Sequence, residues 1–388
     1  MAQVAVAATV ATTTARLDTL AVRDFRNIAH AELTLPPEGI AIVGDNGQGK
    51  TNLAEAIAYL RLLRSLRGAR DRELIRFDAP AFHLSASLGG LAAHRVSAGV
   101  DRAGRKKVTL DGAEPEKLTD ALDALPSVSF SPRDVDLIVG APAERRRYLD
   151  ITLALTSAPY LTALRRYRAA LARRNAAIRD VQRRLSGKRA DIASVAAWEP
   201  ALVEHGAVLI EGRRNWVRTH ADAFTQRCGA IGEAASATLN YNGLNAEDAE
   251  NAEGAALRDL LSAQLERQRE QDLRRGLTQS GPHRDDLELR LDGHDLRVVG
   301  SAGQQRTAAI VLRMLEASTH SEATGIVPLL LLDDPFAELD RRRTGRILAL
   351  LEANGVGQCV LCVPREDEIP AQFTRLERWR VQEGVFTR

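Results

Sequence analysis

The sequence predicts an α/β fold whose two parts are separated along the chain by a helical insertion. Three observations lead to this prediction. A strand-like segment at 39–43 runs through a glycine-rich turn into a helical segment that spans 51–63. A solid apolar run at 328–332 ends in two aspartates, which is typical of a buried parallel strand. Between the two, residues 148–216 change to a helical period.

The composition is that of an ordinary globular protein, with 45% hydrophobic and 27% charged residues among 388. No apolar stretch approaches the ~18 residues of a membrane span, so we expect neither an integral membrane protein nor a membrane partner. Three cysteines are too few for a disulfide framework, which favours the reducing cytoplasm. Residues 1–14 lack the basic start of a signal peptide, and we predict a disordered tail there.

Strand and helix patterns give the order of elements. Residues 17–28 begin with strand-like alternation, and residues 80–110 break at glycines as hairpins do. Two largely apolar stripes, at 160–185 and 195–216, predict two helices of about 30 residues each. The helices could pair antiparallel as a short arm or belong to an ordinary helical bundle, and the pattern does not separate the two. The acidic, alanine-rich residues 242–259 are predicted to form a loop.

Two features resemble metal or catalytic sites but have simpler interpretations. Cys359 and Cys362 form a CxxC in a strand-like segment, where residues three apart point to opposite faces. We therefore predict that both are core residues. His283 stands between Gly281-Pro282 and two aspartates, which favours a polar structural turn. No HxH or HExxH spacing points to a transition-metal site.

The most specific motif is a glycine-rich phosphate-binding loop that matches GxxxxGK[ST]. Its residues are Gly44, Asp45, Asn46, Gly47, Gln48, Gly49, Lys50 and Thr51. The glycines allow backbone N–H groups to face the β- and γ-phosphates of a nucleotide. Lys50 adds a positive charge, and the Thr51 hydroxyl can bind Mg²⁺. Because a strand precedes the motif and a helix follows it, the sequence predicts a nucleotide site.

The apolar run that ends in Asp333 and Asp334 is the second motif, a Walker B arrangement. Asp333 is predicted to bind Mg²⁺ through water. Asp334 stands where a general base would polarise the attacking water, so Asp334 and Lys50 are the catalytic candidates. Asp333 lies 282 residues beyond Thr51. A gap of that length requires an inserted module, which the helical segment supplies.

The third motif combines Ser301, Gly303 and Gln304 at the start of a helical segment. A serine and a glycine at a helix start form an anion-binding terminus. Because the P-loop already binds its own phosphates, a second terminus suggests contact with the γ-phosphate of a partner subunit's ATP. Taken alone, Ser301 could be a plain N-cap with a glutamine three residues later. Asp340, beyond the second motif, fits a loop that communicates across the same interface.

These motifs resemble the ABC-type ATPase heads of the SMC and Rad50 superfamily, and specifically the RecF family. Matching segments run from residue 17 to about 365: Phe25-Arg-Asn27, 44–57, Phe130-Ser-Pro132 with Asp134, 140–150, 280–287, 301–307 and 330–340. The resemblance implies an α/β, ABC/SMC-type P-loop ATPase head that is split in sequence, with an inserted α-helical arm domain. The expected divisions are one head part at 15–145, the arm at 146–275 and a second head part at 276–388.

The resemblance also implies the function of a cytoplasmic, nucleoid-associated protein of DNA repair, DNA replication and the SOS response. Such a protein binds ATP with Mg²⁺, dimerises on ATP and holds gapped or duplex DNA. It promotes RecA loading with RecO and RecR, and a weak, DNA-dependent ATPase activity resets it. The alternative is an SMC- or Rad50-like chromosome-organising protein, or another diverged DNA-linked ATPase. A chromosome-organising protein of that type calls for coiled coils far longer than the two predicted helices.

Three departures from the family pattern concern the rate of hydrolysis more than nucleotide binding. The helix after the P-loop begins Asn52-Leu-Ala-Glu55, where a second leucine is commoner. The segment Cys362-Val363-Pro364 stands where the family usually has threonines, after the last core strand. No Q-loop glutamine is evident, and the residues from Ser131 to Asp134 are the stand-in for that loop.

Arginines concentrate in the predicted arm. Residues 161–190 hold nine arginines and one lysine against one acid, although the net charge of the chain is only +2. One interpretation is the solvated helix face of an arginine-rich proteome, and the other is phosphate contact with duplex DNA. In the second case we expect weak sequence specificity and a steep salt dependence. The DNA-binding candidates are Arg145, Arg146, Arg165, Arg166 and Arg173.

Overall fold

The computed structural model describes residues 13–184, 192–244, 252–336, 339–353 and 357–388. The chain divides into two compact units. The head unit joins the residues up to Asp134 to those from Ile310 on, and the helical unit comprises Val135–Ala309. The predicted divisions after residues 145 and 275 are thus replaced by divisions after residues 134 and 309.

The main sheet of the head unit has six strands in the order β16-β15-β4-β14-β13-β8. Its strands are β4 (Gly39–Val43), β8 (Ser127–Phe130), β13 (Leu329–Asp333), β14 (Cys359–Val363), β15 (Glu377–Gln382) and β16 (Val385–Thr387). All neighbours pair in parallel except β15 and β16, which form an antiparallel hairpin. The predicted apolar strand before the paired aspartates is therefore confirmed, and β13 is buried along its whole length.

A second, antiparallel sheet of the head unit has the order β3-β2-β5-β6-β7. Its strands are β2 (Arg16–Phe25), β3 (Ile28–Thr34), β5 (Ala81–Gly89), β6 (Arg95–Asp101) and β7 (Lys106–Leu110), which confirms the predicted hairpins. Helix α1 (Lys50–Leu62) is buried over nearly all its length, in a core that also takes side chains from both sheets. Because core side chains contact α1 on nearly all sides, the position of the helix that begins at the P-loop is fixed.

The head unit also contains two short strands and two helices from its second sequence segment. Strand β1 (Thr13–Thr14) pairs in parallel with β12 (Ile326–Val327). Of the predicted tail at 1–14, residues 1–12 lie outside the described residues, and the last two form β1 instead. Helix α10 (Arg341–Ala353) follows β13, and the unit boundary falls inside α9 (Ala302–Thr324).

The helical unit is a bundle with a small sheet. Its helices are α2 (Asp136–Val139), α3 (Pro142–Thr156), α4 (Ala158–Arg184), α5 (Ala193–Ala196), α6 (Glu199–Ile231), α7 (Gly254–Arg275) and α8 (Leu296–Val299). The antiparallel sheet has the order β11-β10-β9, with β9 (Ala237–Asn242), β10 (Asp286–Leu291) and β11 (His294–Asp295).

Helices α4, α6 and α7 share one apolar core, so the helical-bundle interpretation applies rather than a two-helix arm. The predicted loop at 242–259 is wrong at its end, because Gly254–Arg275 is helical and Leu257 is fully buried. Residues 245–251 of that prediction lie outside the described residues. In the part of the chain that the structure describes, no helix has the length and apolarity needed to cross a bilayer.

Candidate nucleotide-binding site

The P-loop joins β4 to α1, as the sequence predicts. Gly47 and Gly49 have φ values of 83° and 127°, a left-handed region that favours glycine. Lys50 is buried, and its Nζ donates to the carbonyl oxygens of Gly44 and Asp45 within the loop. The start of α1, with its unpaired N–H groups, faces the loop and favours an anion there. These residues form a phosphate-binding loop.

Two turns hold the P-loop in place, a role that the sequence did not reveal for either of them. Asn27, in the turn between β2 and β3, donates from Nδ2 to the carbonyl oxygens of Gly47 and Gln48 at 3.3 and 3.2 Å. The turn of the β15–β16 hairpin is the other neighbour: the N–H groups of Glu383 and Gly384 donate to the side-chain and main-chain oxygens of Gln48 at 2.6 and 2.8 Å. The backbone of the loop is thereby held by two neighbouring turns.

Gly384 is sterically required in this support. Its φ is 80°, and a Cβ atom there would lie 2.6 Å from the carbonyl oxygen of Asn27. Asn27 also accepts a hydrogen bond from Asn52 of α1 at 2.8 Å. The hairpin turn, the Asn27 turn and the first turn of α1 therefore form one close-packed frame around the loop.

The two distant halves of the predicted site meet at Thr51 and Asp333. The Thr51 hydroxyl donates to Asp333 Oδ1 at 3.1 Å, although the residues are 282 apart in sequence. Asp333 is buried, and burial raises the pKa of its carboxyl, while the Thr51 hydrogen bond and the Lys50 charge oppose the rise. A hydroxyl and a carboxylate at this distance are hard oxygen donors of the kind that Mg²⁺ takes beside nucleotide phosphates.

Asp334 directly follows the strand and has a left-handed backbone, with φ of 47°. Its N–H donates to the carbonyl oxygen of Cys362 at 2.9 Å, which fixes the residue at the carboxyl end of the sheet. A non-glycine residue in this region is uncommon and is found at functional sites more often than elsewhere. Its role as general base remains a prediction.

The two strand cysteines are buried, as predicted. Burial raises the pKa of the Cys359 thiol, and burial together with the Asp333 carboxylate raises that of the Cys362 thiol. Among the described residues, no group of three or more histidine, cysteine or acidic side chains is arranged to hold a metal ion. Both cysteines act as core residues of the main sheet.

The third motif forms a capped helix start. Ser301 Oγ accepts from the N–H of Gln304 at 3.3 Å, and Gln304 Oε1 accepts from the N–H of Ser301 at 2.9 Å, so the two side chains make a capping box. Ser301 is exposed, and Gly303 and Gln304 are partly exposed. Asp340 is likewise exposed and caps α10, because its Oδ1 accepts from the N–H of Arg343 at 2.9 Å. The proposed contacts with a partner subunit remain predictions for all four residues.

A chain of buried and partly buried ion pairs connects α1 to α9 inside the head unit. Arg61 of α1 contacts Asp123 at 2.9 Å and Glu316 at 2.8 Å. Arg313 of α9 contacts Glu316 at 2.7 Å and Asp134 at 2.8 Å. Burial by itself raises the pKa of Glu316, but the two guanidinium groups outweigh burial and lower it.

Asp134 belongs to the segment predicted to stand in for the Q-loop. It follows β8, and its carboxylate accepts from the N–H of Ser131 at 2.7 Å as well as from Arg313. In this structure the segment therefore anchors α9 through a carboxylate.

The arginine candidates divide by burial. Arg145 is buried, pairs with Asp286 through two nitrogens at 2.8 Å, and donates to the carbonyl oxygens of Leu137, Ile138 and Gly140. These internal contacts remove Arg145 from the candidate DNA contacts. Arg146 is partly exposed, and Arg165, Arg166 and Arg173 are exposed; Arg173 lies over the Trp198 ring at 5.1 Å.

The fold and the nucleotide site define a P-loop ATPase head of the SMC type, and comparisons with known proteins agree. A family model described as the RecF/RecN/SMC N terminal domain matches residues 16–385. The chain is 36% identical over 355 residues to a DNA replication and repair protein RecF of Salinibacter ruber, covering 90% of this chain and 85% of that one. It is 39% identical over 347 residues to a protein of the same name from Anaeromyxobacter dehalogenans strain 2CP-1, covering 87% and 90%. The chain belongs to the RecF family of DNA replication and repair proteins.

Solved structures give the same result. The chain superposes on the recombination mediator protein RecF of the RecFOR pathway in its ATP form with a TM-score of 0.86, at 28% identity and with 97% and 98% of the two chains covered. An Smc head domain from Pyrococcus furiosus has a TM-score of 0.55 at 19% identity over 96% of both chains, which is a likeness of fold alone. The chain thus has the fold of a P-loop ATPase head, in a family of DNA replication and repair proteins.

Proposed function

We propose that this protein is an ATP-switched DNA-binding factor of recombinational repair and replication-fork maintenance. ATP bound at the P-loop of one copy would be contacted by Ser301, Gly303 and Gln304 of a second copy, so that ATP joins two heads. The dimer would hold gapped or duplex DNA and promote RecA loading with RecO and RecR. The observation that carries the proposal is the contact between Thr51 and Asp333, because it joins the two sequence halves into a single nucleotide half-site.

Mg²⁺ fits the residues of this half-site. The Thr51 hydroxyl and, through water, the Asp333 carboxylate would hold the ion, and the nucleotide phosphates would supply its other ligands. When bound, the ion would neutralise charge on the phosphates. The raised pKa of Asp333 supports this role, since a buried carboxylate without a cation is destabilised by burial.

Other residues of the chain would bind the phosphates and activate the water. Lys50 and the N–H groups of the loop would bind the β- and γ-phosphates, and Asp334 would orient and deprotonate the attacking water. The capping box leaves Ser301 exposed at the positive end of a long helix, which supports its approach to a phosphate of another copy. Hydrolysis would be weak and DNA-dependent, serving to release DNA rather than to drive work, within a cytoplasmic, nucleoid-associated SOS and repair function.

The test is a Lys50→Met variant compared with the unaltered protein in light scattering, with and without ATP and gapped duplex. We expect ATP to double the scattering mass of the unaltered protein, and we expect no such change in the variant, because the phosphate-binding charge is absent. ATP turnover measured in the same samples should rise with gapped duplex only in the unaltered protein.

A matched Lys117→Met variant controls for the loss of an exposed lysine of the same unit. It should dimerise as the unaltered protein does. An ATP-induced dimer that persists in Lys50→Met would contradict the proposal, provided that thermal unfolding shows both variants to be folded.

A further inference from the structure

A basic pocket lies within the helical unit. Its volume is about 220 Å³, and one face of each of three helices lines it. Helices α3 and α4 each contribute four residues at the i, i+3, i+4, i+7 spacing of a single helix face. These are residues 143, 146, 147 and 150 of α3 and residues 164, 167, 168 and 171 of α4. Leu209 and Arg213 of α6 and the imidazole of His283 complete the wall.

The pocket has more positive than negative charge. Four arginines line it, Arg146, Arg147, Arg168 and Arg213, against the single carboxylate of Asp150. Burial lowers the pKa of Arg146, repulsion from the Arg213 guanidinium lowers it further, and the nearby Asp286 and Asp285 carboxylates oppose the shift. An anion that enters the pocket would relieve this repulsion.

The wall of the pocket is ordered by internal hydrogen bonds. Arg213 is almost fully buried and donates to Asp150 at 2.8 Å, to Tyr160 at 3.0 Å and to the carbonyl oxygen of Pro282 at 2.6 Å. Asp150 also accepts from Arg168 at 2.9 Å. A fixed set of guanidinium groups loses little freedom on binding a ligand, which favours affinity.

Neutral groups close the pocket beside His283. Its Nε2 lies 3.1 Å from the carbonyl oxygen of Thr278 and its Nδ1 lies 2.6 Å from the Tyr167 hydroxyl, so Nε2 carries the proton and Nδ1 accepts. Burial lowers the pKa of His283 to about 4, so the ring is neutral at pH 7. The arginines therefore supply the positive charge of the pocket.

We propose that this pocket binds a phosphate group, and that in the working protein this is a phosphodiester of duplex DNA. The assignment rests on the proposed DNA-binding function, which it makes specific to one site. Planar guanidinium forks match phosphate oxygens, and the exposed Arg165, three residues before Arg168 on the same helix, extends the basic surface for a neighbouring phosphate. The pocket would thus fix the register of the duplex backbone.

The decisive variant is Ala143→Glu, with Ala143→Gln as its uncharged match. Ala143 is exposed in the first turn of α3 and lines the pocket, so a glutamate adds negative charge without removing a hydrogen bond and is compatible with a helix start. We expect duplex affinity to fall about tenfold or more in Ala143→Glu and to stay within about twofold in Ala143→Gln. Arg168→Gln should lower the slope of log affinity against log salt by about 0.9, the value for one phosphate contact.

A second experiment, with inorganic phosphate, distinguishes a pocket that binds a free anion from one that binds the DNA backbone. Trp198 and Trp216 report on the helical unit in a Trp379→Phe, Lys50→Met background, where the P-loop lysine is absent. Phosphate should raise the unfolding temperature of this protein more than chloride of equal ionic strength does. The added Ala143→Glu change should remove that difference, and Ala143→Gln should keep it.

The outcomes are distinct. Equal duplex affinity in Ala143→Glu and Ala143→Gln overturns the assignment to DNA, and if phosphate protection is also equal in the two, the pocket binds no phosphate at all. Phosphate protection that is lost in Ala143→Glu with unchanged duplex affinity identifies a free-anion pocket and likewise overturns the assignment to DNA. Failure of the unaltered protein to bind duplex, with or without ATP, contradicts the proposed function itself.

Discussion

The head unit and the helical unit both enclose arginines, but they balance them differently. In the head unit, Arg61 and Arg313 are shared among three carboxylates, those of Asp123, Asp134 and Glu316. In the pocket of the helical unit, four arginines face one carboxylate. The difference shows that the local balance of charge, rather than the number of arginines, separates a structural cluster from a candidate binding site.

The helical unit contains both kinds of arrangement. Arg174 is completely buried, and it contacts Asp272 at 2.7 Å and Glu199 at 2.9 Å, so its charge is compensated within the protein. Arg166, on the same helix, is exposed. The two arginines differ in surroundings and not in residue type, and they should respond differently to substitution.

The largest effect is expected in the balanced network of the head unit. Arg61→Met leaves the buried Glu316 and the half-buried Asp123 with one charge partner fewer, so the free energy of unfolding should fall by about 3–5 kcal/mol. Urea unfolding followed by Trp379 fluorescence, in a protein with Trp198 and Trp216 changed to phenylalanine, reports on this unit alone.

Arg64→Met is the control for this experiment, because Arg64 is exposed and lies three residues further along the chain. It should cost about 1 kcal/mol or less. If Arg61→Met costs no more than Arg64→Met, the network does not stabilise the head unit.

A smaller effect is expected from acid in the helical unit. The pKa of His283 is lowered to about 4 by burial, so the unfolded chain takes up a proton at higher pH than the folded one. The contribution of the neutral His283 ring to the free energy of unfolding is fully present above about pH 6.5. It decreases as the pH falls toward 4, by up to about 3 kcal/mol. Trp198 and Trp216 fluorescence, in a Trp379→Phe protein, should show this loss.

His283→Gln keeps a donor and an acceptor but cannot titrate, so it should reduce the loss of stability between pH 7.5 and 5. The head-unit network behaves differently. Because the pKa of Glu316 is lowered in the folded protein, its contribution to the free energy of unfolding is retained until the pH drops below about 4.3, the usual glutamate value. Identical pH profiles for His283→Gln and the unaltered protein would remove this contrast.

The smallest effect on stability is expected at the exposed arginines. Arg165→Gln and Arg166→Gln should change the free energy of unfolding by about 0.5 kcal/mol or less, because neither side chain is buried. Their effect should appear instead in duplex binding, where each lost phosphate contact reduces the salt slope by about 0.9. A loss of stability comparable to that of Arg61→Met would mean that these arginines belong to a structural cluster.

Short-range patterns predict the elements that form the candidate nucleotide site. The P-loop, the apolar strand before Asp333 and the buried cysteines all depend on local periodicity and turn chemistry, and the structure has them where the sequence indicates. The meeting of Thr51 with Asp333 could be inferred only by assuming that both motifs serve one ligand. The catalytic role of Asp334 and the trans role of Ser301 stay predictions.

Long-range contacts explain what the sequence did not reveal. Arg145 and Arg166 have the same side chain, and only the packing of Arg145 against Asp286 separates a buried structural residue from an exposed one. Asn27 was part of a recognised motif, but its role as a support for the P-loop depends on a turn that is distant in sequence. The hairpin around Gly384 carries no phosphate-binding pattern, so no local signal pointed to it.

The support of the P-loop by the β15–β16 hairpin has a consequence during protein synthesis. Gln48 and Glu383, which hydrogen-bond to each other, are 335 residues apart. At ~5–20 residues per second, the ribosome needs about 20–70 s to pass from one to the other. Throughout that interval the P-loop of the nascent chain lacks the hydrogen bonds of the hairpin and has only those of Asn27. Shortened translation products should therefore bind ATP poorly, and they should not interfere with the assembly of intact copies.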